Sequence, residues 1–157
     1  VLSAGMTETP AERPDPGVAG DAEWAAQARP LLVHADMRLC KRFDQGEPIE
    51  RLVVLRARAV DQLMRNAWTR CIPADSGLSL HAVGGYGRGE LFPRSDVDLL
   101  VLGESVAQQH EQALARLFAL LWDVGLPISH AVRSPAQCTA AAADQTVLTA
   151  LIESRST

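Results

Sequence analysis

Two aspartates one residue apart head an unbroken apolar run, Asp96-Val97-Asp98-Leu99-Leu100-Val101-Leu102. A short run of this kind reads as a strand buried on both faces, which requires a sheet with strands beside it and helices over it. Side chains at i and i+2 of a strand share a face about 6–7 Å apart along the chain. Two carboxylates so placed are costly together unless a cation lies between them. Hard divalent cations are the natural partners of such oxygen pairs. Val97 and Leu99 are expected to face the core and hold the acids in place.

The segment before the acids is as unusual. Gly84, Gly85, Gly87 and Gly89 crowd into one turn after the alternating Leu78, Leu80 and Ala82, with Gly85 eleven residues ahead of Asp96. That pattern predicts a strand running into a turn whose main-chain N–H groups a phosphate can approach. The spacing is neither that of the dinucleotide fingerprint nor that of the P-loop. Between turn and acids stand Arg88, which can meet a phosphate or pair with Glu90, and Ser95, which can bond a phosphate oxygen or close the turn. Tyr86 is expected to pack against the sheet rather than on a base.

The remaining pattern organises the chain around this centre. Residues 1–24, with Pro10, Pro14 and Pro16, read as a flexible lead-in. Residues 25–74 read as a helical region. Pro30 is expected to open a first helix ending near Phe43 and Gly46, and a second, with Leu52, Leu55, Ala59, Leu63 and Ala67 at helical spacing, runs from Pro48 to about Cys71. Residues 75–157 form the core, read as cut short at its end. Its elements are the two strands already named, a helix through Leu114, Leu117, Leu121 and Val124 closed by Gly125, a strand at 128–132 and an Ala-rich helix at 136–154. The fold class is mixed α/β (α+β).

Composition removes alternatives. The 157 residues carry a formal net charge of −4, so no broad basic field exists to grip a nucleic-acid backbone. Cys40, Cys71 and Cys138 are scattered and form no C-x-x-C pair, and the four histidines show no metal-ligand spacing. No stretch approaches the roughly 18 apolar residues of a membrane span, and no signal-peptide pattern opens the chain. A cytoplasmic protein is expected. A G-x-S-x-G nucleophile motif is also absent.

At Gly84-Gly85 followed by Ser95-Asp96-Val97-Asp98, the sequence resembles the DNA-polymerase-β-like nucleotidyltransferase superfamily. More closely, Gly-Gly-Tyr-Gly-Arg-Gly-Glu-Leu-Phe-Pro-Arg-Ser-Asp-Val-Asp is similar to the core of the bacterial PII uridylyltransferase family, and the likeness extends over residues 31–155. The resemblance implies a nucleotidyltransferase fold, a small mixed sheet with flanking helices preceded by N-terminal helices. It implies that Asp96 and Asp98 are catalytic and bind Mg2+, and that Gly84, Gly85, Arg88 and Ser95 contact the nucleotide. The implied reaction is transfer of UMP from UTP to a tyrosine hydroxyl of the PII nitrogen-regulatory protein, with release of pyrophosphate. The choice of uridine comes from the resemblance and not from the residues. A nucleotidyltransferase with a different acceptor, or a non-catalytic nucleotide-binding or interaction fragment, are the alternatives. Many superfamily members carry a third carboxylate on a later strand, whereas residues 128–132 hold none. The family's enzymes are several times longer and multifunctional, with a metal-dependent HD hydrolase domain. This chain has no His-Asp dipeptide, so the uridylyl-removing step is expected elsewhere, and the chain reads as an N-terminal piece.

Overall fold

A computed structural model describes residues 16–104, 109–141 and 155–156 of the chain. Among the described residues the elements follow in the order α1 (Pro16–Asp44), α2 (Ile49–Cys71), β1 (Ser79–Ala82), α3 (Gly84–Gly87), β2 (Val97–Leu102), α4 (Glu111–Val124), β3 (Ile128–Arg133), α5 (Pro135–Ala141) and β4 (Arg155–Ser156). The sheet order is β3-β2-β1-β4. β2 runs parallel to β3 and antiparallel to β1, and β4 adds to the far edge of β1 antiparallel. The sheet is therefore mixed and small, as expected.

The parallel β2–β3 pair requires a crossover, and α4 supplies it. Leu114, Leu117, Phe118, Leu121 and Val124 recur at three- and four-residue intervals and are buried. Gly125 ends the helix at φ +99°, and the N–H of Leu126 donates back to Leu121 O at 3.1 Å. A left-handed residue just past the last turn is the usual way to satisfy those carbonyls. α2 stops at Cys71 because Pro73 disfavours helical angles at Ile72, which sits at ψ 125°. Ser134 and Gln137 open α5 with a reciprocal capping box of 2.8 and 3.1 Å.

Two sequence expectations change. Pro30 does not open the first helix: α1 begins at Pro16 and passes through Pro30. An internal proline forfeits one hydrogen bond and crowds the preceding turn, at about 3 kcal/mol. The helix runs on because tertiary contacts anchor it on both sides of that residue. Asp21 is held by Arg70 and Arg116, and Ala25 and Ala28 are buried. Past the proline, Asp36 binds Arg56 at 2.8 Å. Residues 16–24, read as lead-in, are accordingly helix, while 1–15 lie outside the described residues. The Ala-rich helix is seen as α5 over Pro135–Ala141; residues 142–154 also lie outside. β4 was not expected, since two residues carry no periodicity.

One hydrophobic cluster joins α1, α2, α4 and the sheet, including Ala25, Val60, Met64, Leu99, Val101, Leu117 and Leu121. Each fully buried Leu contributes about 1.5–3 kcal/mol. Val97, Leu99 and Val101 point into this cluster, so their neighbour Asp98 points to the sheet's other face.

Candidate functional site

The glycine turn and the acid pair meet. Val83 N–H donates to Asp98 O at 3.0 Å, carrying β1 past β2 and into α3. Gly84 has φ +60°, and a Cβ added there would lie 2.9 Å from Asp98 Oδ2. The carboxylate thus rests where any other residue at 84 would place its side chain. Helix α3 is one turn long, and the first N–H groups of a helix have no partner within it. Those groups begin beside Asp98. Arg94 takes φ 67°, costly for a residue with a Cβ, as the chain turns back toward Asp96.

Asp96 sits just ahead of β2 and is exposed; Asp98 is half-buried. Burial, and then the negative charge of Asp96, push the Asp98 carboxyl above the ordinary aspartate range. Neither acid forms an ion pair with any described residue. The pair therefore presents two oxygen-donor groups with no counter-charge among the described residues, the inner one resisting ionisation first through burial and then through its neighbour. Among the described residues no third His, Cys, Asp or Glu joins them. This donor set fits Mg2+, which characteristically takes one or two carboxylates and completes its octahedron with water and substrate phosphates.

The other expected site residues are engaged locally. Arg88 is exposed, 3.6 Å from Glu90 across an ion pair. Ser95 closes its turn, its hydroxyl donating to Phe92 O at 2.8 Å. A phosphate oxygen only accepts, so Ser95 would have to redirect that hydrogen to reach one. Tyr86 packs inward at 1% exposure. An apolar cavity of about 280 Å³, lined in part by Leu39, Phe43, Leu52, Val53, Leu91 and Pro93, lies beyond the loop and contains neither acid. Its lining is wrong for a triphosphate.

Sequence reasoning missed the cluster beneath the turn. Tyr86 donates its hydroxyl hydrogen to Asp61 Oδ1 at 2.7 Å, and Arg155 grips both oxygens of Asp61 at 2.9 Å. Burial works to raise the Asp61 pKa, but the hydrogen bonds from Arg155 and Tyr86 outweigh it and hold the carboxyl below its usual range. Burial first, and then the bond to Asp61, raise the Tyr86 phenol far above its usual value. A signal was present: Asp61 shares the buried stripe of Ala57, Met64 and Ala67 on α2, where an acid needs a partner. Which cation answers it is set by β4, and no local pattern shows that.

Residues 64–144 match the profile of the Nucleotidyltransferase domain family. The chain is also similar to proteins named bifunctional uridylyltransferase/uridylyl-removing enzyme. That of Xanthomonas euvesicatoria pv. vesicatoria (strain 85-10) is 94% identical over 151 residues, covering 96% of this chain and 17% of the relative. The Xanthomonas axonopodis pv. citri (strain 306) protein is 93% identical over the same shares. A Pseudomonas putida (strain F1) relative is 44% identical over 143 residues, 85% of this chain and 16% of the relative. The chain thus spans about a sixth of the length of the curated relatives it matches.

Proposed function

Because the chain belongs to the Nucleotidyltransferase domain family, we propose that it carries the nucleotidyl-transfer site of a longer enzyme that moves UMP from UTP to a tyrosine hydroxyl of the PII signal protein. The observation that carries this reading is the Asp96–Asp98 pair, with no counter-charge among the described residues and with Asp98 pressed against Gly84. Uridine is favoured by the uridylyltransferase name that relatives up to 94% identical carry; PII and its tyrosine come from the resemblance of the central motif. The acidic net charge, −4, suits a protein acceptor better than a nucleic acid. The site works in the cytoplasm, and among the described residues no helix is long and apolar enough to cross a membrane.

Asp96 and Asp98 would hold Mg2+, which when bound neutralises triphosphate charge and favours in-line displacement. The chain's own part is positional. The glycine turn admits the phosphates to the backbone, and Val97 and Leu99 fix the acids from behind. In the transfer, the tyrosine oxygen bonds to the α-phosphorus of UTP. The bond from that phosphorus to the pyrophosphate oxygen breaks, pyrophosphate leaves, and the hydroxyl proton passes to solvent. Arg88, exposed at the end of α3 and 3.6 Å from Glu90, is the cation nearest in sequence to the turn and the candidate for a phosphate contact there.

The test is an Asp96→Asn, Asp98→Asn double variant of the intact parent protein. UMP transfer should fall by about 10³-fold or more with the fold retained by circular dichroism; transfer at the parental rate overturns the reading. Calorimetry of this chain with UTP and Mg2+ adds a second arm. Binding without turnover would favour the non-catalytic nucleotide-holding module, which an acid pair with no third ligand among the described residues also suits.

A further inference from the structure

We infer that Asp61, Tyr86 and Arg155 form a positioning unit that holds the Gly84–Gly87 turn in the shape that receives the nucleoside triphosphate. This rests on the function proposed above for that turn. The need for such a unit follows from the turn itself. α3 is four residues long and three of them are glycine. One helical turn does not repay its own nucleation, and glycine loses more backbone freedom on ordering than any other residue. Something outside the turn must hold it.

The one side chain the turn possesses beyond hydrogen is Tyr86, and it points away from the acids into the molecule. Its hydroxyl is fixed by Asp61 at 2.7 Å, and its carbonyl accepts from Arg155 Nη2 at 3.3 Å. The Arg155 guanidinium also lies over the Tyr86 ring, 5.4 Å from its centre. Asp61 belongs to α2, and Arg155 pairs in register with Ala82, two residues before the turn. Two elements, α2 and β4, therefore converge on one side chain of α3, opposite the face that meets Asp98. Buried ion pairs add little net stability because desolvation offsets their attraction, and their better-attested use is to select one geometry. The geometry selected here is that of the glycine backbone.

The experiment compares this chain with its Tyr86→Phe and Arg155→Lys variants by hydrogen exchange at the amides of residues 84–88, by calorimetric titration with UTP and Mg2+, and by titration with Mn2+ alone. Tyr86→Phe keeps the packed ring and deletes the bond to Asp61. It should speed exchange at the turn and weaken UTP binding each by about tenfold, the size expected for a hydrogen bond to a charged group. Mn2+ binding at the acid pair should change by less than about twofold, a separation that general loosening of the fold would not give. Arg155→Lys keeps the charge and loses the two-pronged grip, so it should show the same losses at about threefold. Unchanged exchange and unchanged UTP affinity in Tyr86→Phe overturn the inference. If that variant fails to fold, Arg155→Lys decides by the same two readings. If the unmodified chain binds no UTP, the proposed function falls, and the exchange rates alone decide whether the unit holds the turn.

Discussion

Asp61 and Asp98 flank the same glycine turn from opposite sides, and their surroundings differ in kind. Asp61 receives two guanidinium bonds and a phenol hydrogen bond, and its carboxyl stays ionised more readily than a free aspartate. Asp98 has burial and a second carboxylate for company, and it resists ionisation. Asp21, on α1, follows Asp61: first the hydrogen bond from Arg116, and with it that from Arg70, holds it low despite burial. The chain provides arginines for acids that hold helices and the turn together. Among the described residues it leaves without one the pair at the mouth of β2. Two carboxylates on one strand face, the inner one raised by burial and by its neighbour, mark where an outside cation belongs.

The contrast can be broken most severely at Asp61. Asp61→Ala strands Arg155 and the Tyr86 hydroxyl, and should destabilise the chain by about 3 kcal/mol, at the low end for a broken buried pair because the Arg155 side chain keeps 34% exposure. Denaturant unfolding measures it; a loss below about 1 kcal/mol would mean that Asp61 is no more structural than a surface acid. Gly84→Ala comes next. Its Cβ must displace Asp98 Oδ2 and its backbone must keep φ +60°, so it should cost about 1–2 kcal/mol and abolish UTP–Mg2+ binding. Normal binding by that variant would separate the turn from the acid. Smallest and opposite in sign is Asp98→Asn, which should stabilise the chain by about 0.5–1 kcal/mol at neutral pH while removing metal binding.

The pH dependence of that last effect sharpens the comparison. The folded pKa of Asp98 is raised, so its protonated form favours the fold, and the penalty of its charge appears as pH rises from the ordinary aspartate value of 3.8 through the folded pKa. The advantage of Asp98→Asn should therefore vanish below that window. Asp61 and Asp21 are lowered, so the stability they contribute is present above 3.8 and lost as pH falls through their folded pKa values. Thermal melts of both proteins between neutral and acid pH would show the two curves converging.

Much of the sheet and the acid pair was legible because their signals are local. The run of residues 96–102 could only be an inner strand, and α4 announced both its stripe and its glycine stop. The meeting of Gly84 with Asp98 followed from the two motifs flanking one loop. Arg56 and Asp61 were harder. Each sits on the apolar side of α2, where helical spacing shows that a charge is buried but not what answers it. The answers, Asp36 and Arg155, lie 20 and 94 residues away in sequence. Pro30 misled because its local penalty is real and was overridden by contacts on either side of it.

The distance of 94 residues between Asp61 and Arg155 also has a schedule attached. At translation speeds of 5–20 residues per second, roughly 5–19 s pass on the ribosome after Asp61 is made before its cation exists. During that interval α2 carries, on the face destined for the interior, an acid answered only by the exposed Arg65 at 4.0 Å. A slowed codon anywhere between them lengthens the time in which a nascent chain must wait, or find the wrong arginine.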